Sequence, residues 1–193
     1  MKIINEVFWQ YQVITPYSKL TYRSEMLTDN CGYLAITIEE YDTVGDVIAQ
    51  IKGEYPEITG LVNAKLEDLK SRGMKELVLD LRNNGGGYPI IMCEVVSLFT
   101  NDEIDMGTDA LRINGEYMTL TEYRVKADGR WADLPVVVLT NSCCGSSGDG
   151  FVYALSRFPN VTTMGITCSE GIYQSVGGYV VLPDSNLYLH YPI

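Results

Sequence analysis

The residues best suited to covalent chemistry lie in one short turn, NSCCGSSGDG at residues 141–150. The turn follows an apolar run at 134–140 and precedes the apolar segment 151–158. A serine at a strand-to-helix turn can act as a nucleophile, because the helix dipole helps to stabilise negative charge there. The same small residues also suit an ordinary helix N-cap. Neither Ser146 nor Ser147 has glycine at both −2 and +2, so the GxSxG elbow of the α/β-hydrolases is excluded.

Cys143 and Cys144 are alternative nucleophiles in the same turn. A reactive cysteine needs a lowered thiol pKa, and no cationic residue is adjacent to them in the sequence. We therefore rank Ser146 above both. The chain has five cysteines and no CxxC pair, which indicates buried free thiols and not a disulfide framework or a zinc module.

A second turn, NNGGGY at residues 83–88, follows the apolar run 75–81. Glycine permits positive φ and lets a ligand approach the backbone closely. Pro89 is typical of a first helical position, and N–H groups near a helix N-terminus can stabilise an oxyanion. A phosphate cradle is not supported, because no GxxxxGK[ST] is present. A flexible turn is the alternative without chemistry.

The segments around both turns alternate between strand and helix, which predicts an α/β sheet covered on at least one side by helices. Predicted strands are residues 32–38, 75–81, 134–140 and 160–166; predicted helices are 58–72, 89–99 and 151–158; predicted hairpins are 7–23, 111–125 and 178–191; and the acidic connection 100–110 is predicted as a loop.

Composition limits the partners. The formal net charge is −11, which argues against non-specific binding of nucleic acid or anionic membranes. The acidic residues are concentrated at 39–57 and 102–109, and neither stretch has the spacing of a calcium loop, so no metal site is predicted. No stretch is long and apolar enough to span a membrane.

Three blocks together resemble the C-terminal processing, or tail-specific, serine peptidases. ELVLDLRNNGGG is similar to the family's D-L-R-x-N-x-G-G, and GSSGDGF is similar to its S-[AS]-[SG]-[ED] turn. MGITCSEGIYQ resembles its G-x-x-T-x-G-K-G segment. The order and approximate spacing match over roughly residues 32–191. The second block places the nucleophile at Ser146 and an acid at Asp149.

The resemblance implies a ClpP/crotonase-like core with a mostly parallel sheet flanked by helices. It assigns residues 32–193 to a peptidase core, which we expect to be incomplete at its C-terminus, and leaves 1–31 as an N-terminal hairpin appendage. It also suggests an extracytoplasmic location, with the signal segment absent from this chain. The residues alone leave a cytoplasmic location equally open, because the start MKIINEVFWQYQ lacks the continuous apolar run of a signal peptide.

The resemblance further implies a polypeptide substrate, an acyl-enzyme on Ser146, and no metal or organic cofactor. The oxyanion hole would consist of the backbone N–H of Gly86 or Gly87 and that of Ser147.

The third block departs from the family pattern, because Glu170 stands where the catalytic lysine is expected. This places the chain near the tricorn-like and retinoid-binding-protein-like branch. A carboxylate is a weaker base than neutral lysine unless burial raises its pKa. Three arrangements stay open: Glu170 acts, alone or through water; His190 acts with Glu170 as its orienter; or the base is absent from the chain.

Three functions therefore compete. The leading one is a serine endopeptidase. The second is a catalytically weak or inactive relative that binds extended peptides in the same cleft. The third is an acyl-transfer enzyme on a crotonase-like core, because oxyanion-hole turns serve that chemistry too.

Overall fold

The computed structural model describes residues 22–37, 58–169, 171, 178–183 and 187–191. Apart from its last two residues, the hairpin predicted at 7–23 lies outside this part of the chain. The elements in chain order are β1 (Tyr22–Met26), β2 (Cys31–Ile36), α1 (Ile58–Ser71), β3 (Glu76–Asp80), α2 (Pro89–Ser97), β4 (Ile104–Ile113), β5 (Glu116–Val125), β6 (Val136–Leu139), α3 (Ser147–Leu155), β7 (Val161–Met164), β8 (Gly178–Val181) and β9 (Tyr188–Tyr191).

The central sheet has the strand order β1-β2-β3-β6-β7. Only β1 is antiparallel to its neighbour; β2, β3, β6 and β7 run parallel to one another. The predicted mostly parallel α/β sheet is therefore confirmed. The two apolar strands that lead into the chemical turns, β3 and β6, are direct neighbours, with Leu77 opposite Val136 and Asp80 opposite Leu139.

The core is built from the apolar positions that the sequence pattern identified. Helix α1 buries Val62, Leu66 and Leu69, which recur at helical spacing. Helix α2 is buried along most of its length and contacts α1, α3 and β5. Pro89 occupies its first turn, as predicted. None of the helices in the described ranges is long and apolar enough to cross a bilayer.

The loop predicted at 100–110 is confirmed for residues 100–103 and is wrong from residue 104 onward, because Ile104–Ile113 forms strand β4. Ile104 and Met106 pack against the core while Asp105 between them is exposed, which is the period-two pattern of a strand. The Tyr123 hydroxyl donates to Asp109 Oδ2 at 2.7 Å, so an acidic residue is accommodated within the β4–β5 pair. The predicted hairpin turn at Asn114-Gly115 is confirmed, with both residues at positive φ.

The hairpin predicted at 178–191 is also confirmed. Strands β8 and β9 pair antiparallel, with Gly178 opposite Tyr191 and Tyr179 opposite His190. In the described residues these two strands form a sheet of their own, separate from the central sheet.

Glu94 on α2 provides a test of the fold's response to pH. Burial raises the pKa of this carboxyl, and the Lys126 charge opposes the rise. The folded state therefore binds the proton more tightly than the unfolded chain. The contribution of the Glu94 carboxyl to the stability of the fold is fully present below its pKa in the unfolded chain. This contribution is lost as the pH rises through its pKa in the folded state.

We expect Glu94→Gln to raise the melting temperature by about 1–2 °C at pH 7–8, with the difference vanishing near pH 4. Thermal melts across this range check the prediction. Glu67→Gln, at an exposed position of α1, is the matched control and should shift the melting temperature little at any pH. Parallel curves for Glu94→Gln and the wild type would contradict the assignment.

Candidate active site

The glycine turn after β3 and the serine turn after β6 lie at the same edge of the sheet. Parallel neighbouring strands present their carboxyl ends together, so the segments that follow them meet. The last hydrogen bond of the ladder between β3 and β6 runs from Leu81 N–H to the Leu139 carbonyl at 2.9 Å. Beyond it, a pair of side-chain amides and one backbone hydrogen bond connect the two turns.

A reciprocal pair of amides forms the first connection. Asn83 N–H donates to Asn141 Oδ1 at 3.0 Å, and Asn141 Nδ2 donates to Asn83 Oδ1 at 2.9 Å. Asn141 Oδ1 also accepts Cys143 N–H at 3.1 Å. Asn83 has a φ of 62°, a left-handed conformation that asparagine tolerates better than most residues.

Asn84 forms the second connection and is fully buried. Its carbonyl accepts Gly145 N–H at 2.9 Å, and its side-chain Oδ1 accepts Gly86 N–H at 2.8 Å. A Cβ at Gly148 would lie 2.8 Å from the Asn84 carbonyl oxygen. The absence of a side chain at Gly148 therefore lets α3 start directly against this asparagine.

Ser146 precedes α3 in a strained conformation, with φ 55° and ψ −132°. A non-glycine residue in such a conformation costs about 1–3 kcal/mol and persists only where its surroundings fix it. Ser146 occupies the N-cap position, yet its side chain makes no capping hydrogen bond. The ordinary N-cap interpretation is therefore wrong for this serine.

Gly86 lies directly beside Ser146. A Cβ built on Gly86 would stand 2.6 Å from Ser146 Cβ and 2.9 Å from Ser147 N. The structure thus brings together the predicted nucleophile and the two turns that carry the predicted oxyanion donors. The N–H of Gly86 is, however, already bonded to Asn84 Oδ1, which directs attention to Gly87 as the donor on this turn.

Asp80 and Arg82 were not assigned a role from the sequence, although they belong to the most specific block. Asp80 is buried at the end of β3 and accepts the Tyr33 hydroxyl at 2.8 Å. It also accepts Arg82 Nε at 2.9 Å, Arg82 Nη2 at 2.7 Å and Arg82 N–H at 3.0 Å. A buried acid at the end of an apolar strand, two residues before arginine, was the available signal for this turn-fixing pair.

The third block reaches the same edge. Thr140 N–H donates to the Met164 carbonyl at 3.0 Å, and Ser142 N–H donates to Thr167 Oγ1 at 2.8 Å. The segment after β7 therefore contacts the serine turn. Glu170, three residues beyond Thr167, lies outside the described residues, so its predicted position beside Ser146 stays a prediction.

The remaining candidates are placed as follows. Asp149 lies half-buried in the first turn of α3, where a carboxylate is favoured by the helix dipole. Ser147 is buried at the start of the same helix. Cys144 is buried in the core, whereas Cys143 is exposed. His190 belongs to β9, and its side chain lies outside the part that the structure describes. Within that part, no group of three or more His, Cys, Asp or Glu residues is placed to hold a metal ion.

Gly86→Ala tests the packing of the two turns. At φ +87° a side chain is strained, and its Cβ would collide with Ser146 Cβ and with the Gly145 carbonyl oxygen at 2.9 Å. Because rigid backbone forms most of this contact, we expect the free energy of unfolding to fall by about 2–4 kcal/mol. Urea denaturation measures the change.

Gly85→Ala is the matched control, because a Cβ at Gly85 meets nothing within 4 Å. Its free energy of unfolding should stay within about 0.5 kcal/mol of the wild type. Equal stability of the two variants would show that Gly86 is not confined by the serine turn.

Comparison with known proteins gives a consistent picture. The family model for peptidase family S41 matches residues 30–192. The carboxy-terminal processing protease CtpA of Bacillus subtilis (strain 168) is 28% identical over 161 residues, covering 82% of this chain and 30% of CtpA. This chain therefore spans less than a third of that curated relative's length.

Solved structures agree on the fold. A protein of Bacteroides fragilis assigned to the S41 proteases matches with a TM-score of 0.60 and 18% identity, over 93% of this chain and 46% of its own. The photosystem II D1 C-terminal processing protease matches with a TM-score of 0.57 and 18% identity, over 89% of this chain and 42% of its own. These identities show the fold alone, while the family model covers most of the sequence, and on that match the chain belongs to peptidase family S41.

Proposed function

We propose that this S41 chain is a serine endopeptidase of the C-terminal processing type that works through an acyl-enzyme on Ser146. One observation carries the proposal: Ser146 is held at φ 55°, without a capping bond, directly beside the glycine turn. The relative CtpA, a carboxy-terminal processing protease, supports the reaction class. A polypeptide is the proposed substrate.

In the proposed first step, Ser146 Oγ attacks the carbonyl carbon of the scissile peptide bond. The carbonyl oxygen becomes an oxyanion, and the serine proton passes to the base. The C–N bond then breaks, and the leaving amine takes that proton. Water hydrolyses the resulting ester by the reverse sequence of proton transfers and releases Ser146.

The oxyanion would be stabilised by backbone N–H groups. We assign these to Ser147, at the start of α3, and to Gly87, because Gly86 N–H is bonded to Asn84 Oδ1. The N-terminus of α3 adds its dipole at the same point. Donors fixed in advance within a partly buried site are effective, because they need not reorganise as charge develops.

Glu170 is the proposed base. The segment that leads to it contacts the serine turn through the bond from Ser142 N–H to Thr167 Oγ1. A carboxylate accepts a serine proton effectively only where burial raises its pKa, so the proposal requires a half-buried Glu170. The second arrangement uses His190 as base with Glu170 as its orienter.

The competing function is a catalytically weak or inactive relative that binds extended peptides at the same site. The observation that favours it is the glutamate at 170, where the family pattern has lysine. Reaction of Ser146 with an electrophile separates the two functions, because peptide binding alone requires no activated serine.

We expect a fluorophosphonate probe to label the wild-type chain at Ser146, with Oγ displacing fluoride at phosphorus. Peptide mapping by mass spectrometry locates the adduct. Ser146→Ala should abolish both labelling and peptide hydrolysis, because the nucleophile is removed. Ser142→Ala, at an exposed serine of the same turn, should keep both. A wild-type chain that binds extended peptides but never labels would favour the inactive relative.

Glu170→Gln tests the base. Removal of a general base typically costs 10²–10⁴-fold, so we expect hydrolysis to fall by about 100-fold or more while the chain stays folded. His190→Asn is made alongside it. A large loss in Glu170→Gln alone supports direct action of the carboxylate; a large loss in both supports histidine as the base. Full activity in Glu170→Gln would remove this carboxylate from the mechanism.

A further inference from the structure

We infer that the amide pair of Asn83 and Asn141 is a positioning device that sets the oxyanion donors of one turn against the serine of the other. This inference rests on the proposed function. Neither side chain is assigned to the chemical steps; each acts through the backbone that it holds.

The pair takes over where the sheet ladder ends. The ladder between β3 and β6 closes with Leu81 N–H on the Leu139 carbonyl at 2.9 Å. Two residues beyond, Asn83 N–H is bonded at 3.0 Å to the side chain of Asn141 in place of a backbone carbonyl. The amide pair therefore joins the two segments just before they reach Gly86 and Ser146, and the backbone bond from Gly145 N–H to the Asn84 carbonyl follows it.

An amide is the side chain that this geometry requires at position 141. Asn141 Oδ1 accepts two N–H groups, from Asn83 and Cys143, while Nδ2 donates to Asn83 Oδ1 at 2.9 Å. Asn141 therefore needs an acceptor and a donor on one planar group. A carboxylate has no donor and would place a negatively charged oxygen against Asn83 Oδ1.

Asn83 has two roles: its backbone forms the turn, and its side chain accepts a hydrogen bond from Asn141. Its φ of 62° could be adopted by glycine with less strain, so the turn itself does not need a side chain there. What asparagine adds is the Oδ1 acceptor for Asn141. Asn83→Gly therefore removes the hydrogen bond donated by Asn141 Nδ2 and keeps the one that the backbone N–H of residue 83 donates to Asn141 Oδ1. It also keeps the turn, which Asn83→Ala would strain.

The expected consequence is a loss of alignment and not of the nucleophile. Displacement of a reacting group by about 1 Å can lower a rate by about 100-fold. In the described residues the hydrogen bonds of the pair join the two asparagines to each other and to Cys143, and the proposed mechanism gives neither side chain a contact with the substrate. The affinity for a small probe should therefore change less than the rate of its reaction.

The experiment uses the fluorophosphonate probe on Asn141→Ala, Asn141→Asp, Asn83→Gly and the double variant Asn83→Gly/Asn141→Ala. The maximal labelling rate and the half-saturating probe concentration are measured separately, with a thermal melt for each protein. We expect the maximal rate to fall by about 10–100-fold in each variant, with the half-saturating concentration within about threefold of the wild type. The double variant should react no more slowly than Asn141→Ala, because Asn141→Ala already removes both hydrogen bonds of the pair, whereas Asn83→Gly removes only the one that Asn83 Oδ1 accepts.

Asn160→Ala is the matched control. Asn160 Nδ2 donates to the Leu134 carbonyl at 2.6 Å, at the opposite end of β6 from Asn141. It should lower the melting temperature by an amount comparable to Asn141→Ala and leave the labelling rate unchanged. A similar loss of rate in Asn160→Ala would mean that the Asn141 effect reflects stability alone, and would overturn the inference.

The two proposals fail in different ways. If the wild-type chain does not react with the probe, the proposed function fails and this inference fails with it. If the wild type reacts and the Asn83 and Asn141 variants react equally fast, Ser146 remains an activated serine and the positioning role alone is wrong.

Discussion

The parallel register of β3 and β6 is the constraint on which the rest of the site depends. With Asp80 opposite Leu139, strands β3 and β6 end side by side at the same edge of the sheet. The glycine turn and the serine turn that follow them therefore meet. A slip by one residue would exchange the faces of every side chain on the slipped strand. It would bury exposed positions and expose Leu77 and Leu79, which are now in the core. Packing of the core therefore sets the geometry of the site.

The two turns concentrate strained backbone in one place. Ser146 and Asn83 have positive φ, and Gly86 of the glycine turn has a φ of 87°. Such conformations persist where surrounding contacts fix them. Here the contacts come from the buried Asn84, which accepts hydrogen bonds from Gly145 and Gly86. The hydrogen bonds that stabilise these backbone conformations also hold Ser146 beside the glycine turn.

Local patterns predicted the mostly parallel sheet and the two chemical turns, because apolar runs followed by small residues are local features. The failures have equally physical causes. Acidic residues at 100–110 concealed the alternation of Ile104 and Met106, so a strand was predicted as a loop. The pairing of Asn83 with Asn141 joins positions 58 residues apart and leaves no local signal. The occupied N–H of Gly86 depends on a side-chain rotamer, which a motif does not specify.

In the proposed mechanism, the charge of the base determines how much of the oxyanion's stabilisation must come from the backbone N–H donors. A lysine that accepts the serine proton becomes a cation, which attracts the oxyanion beside it. A carboxylate that accepts the same proton becomes neutral and offers no such attraction. Arg82 is in a bidentate ion pair with the buried Asp80, so its charge is largely compensated at this edge. With Glu170 as base, stabilisation of the oxyanion would fall to the backbone N–H groups and the dipole of α3. In the proposed mechanism, alignment of the two turns would then matter more than it would beside a lysine, and the connections through Asn83, Asn84 and Asn141 are the contacts that hold this alignment.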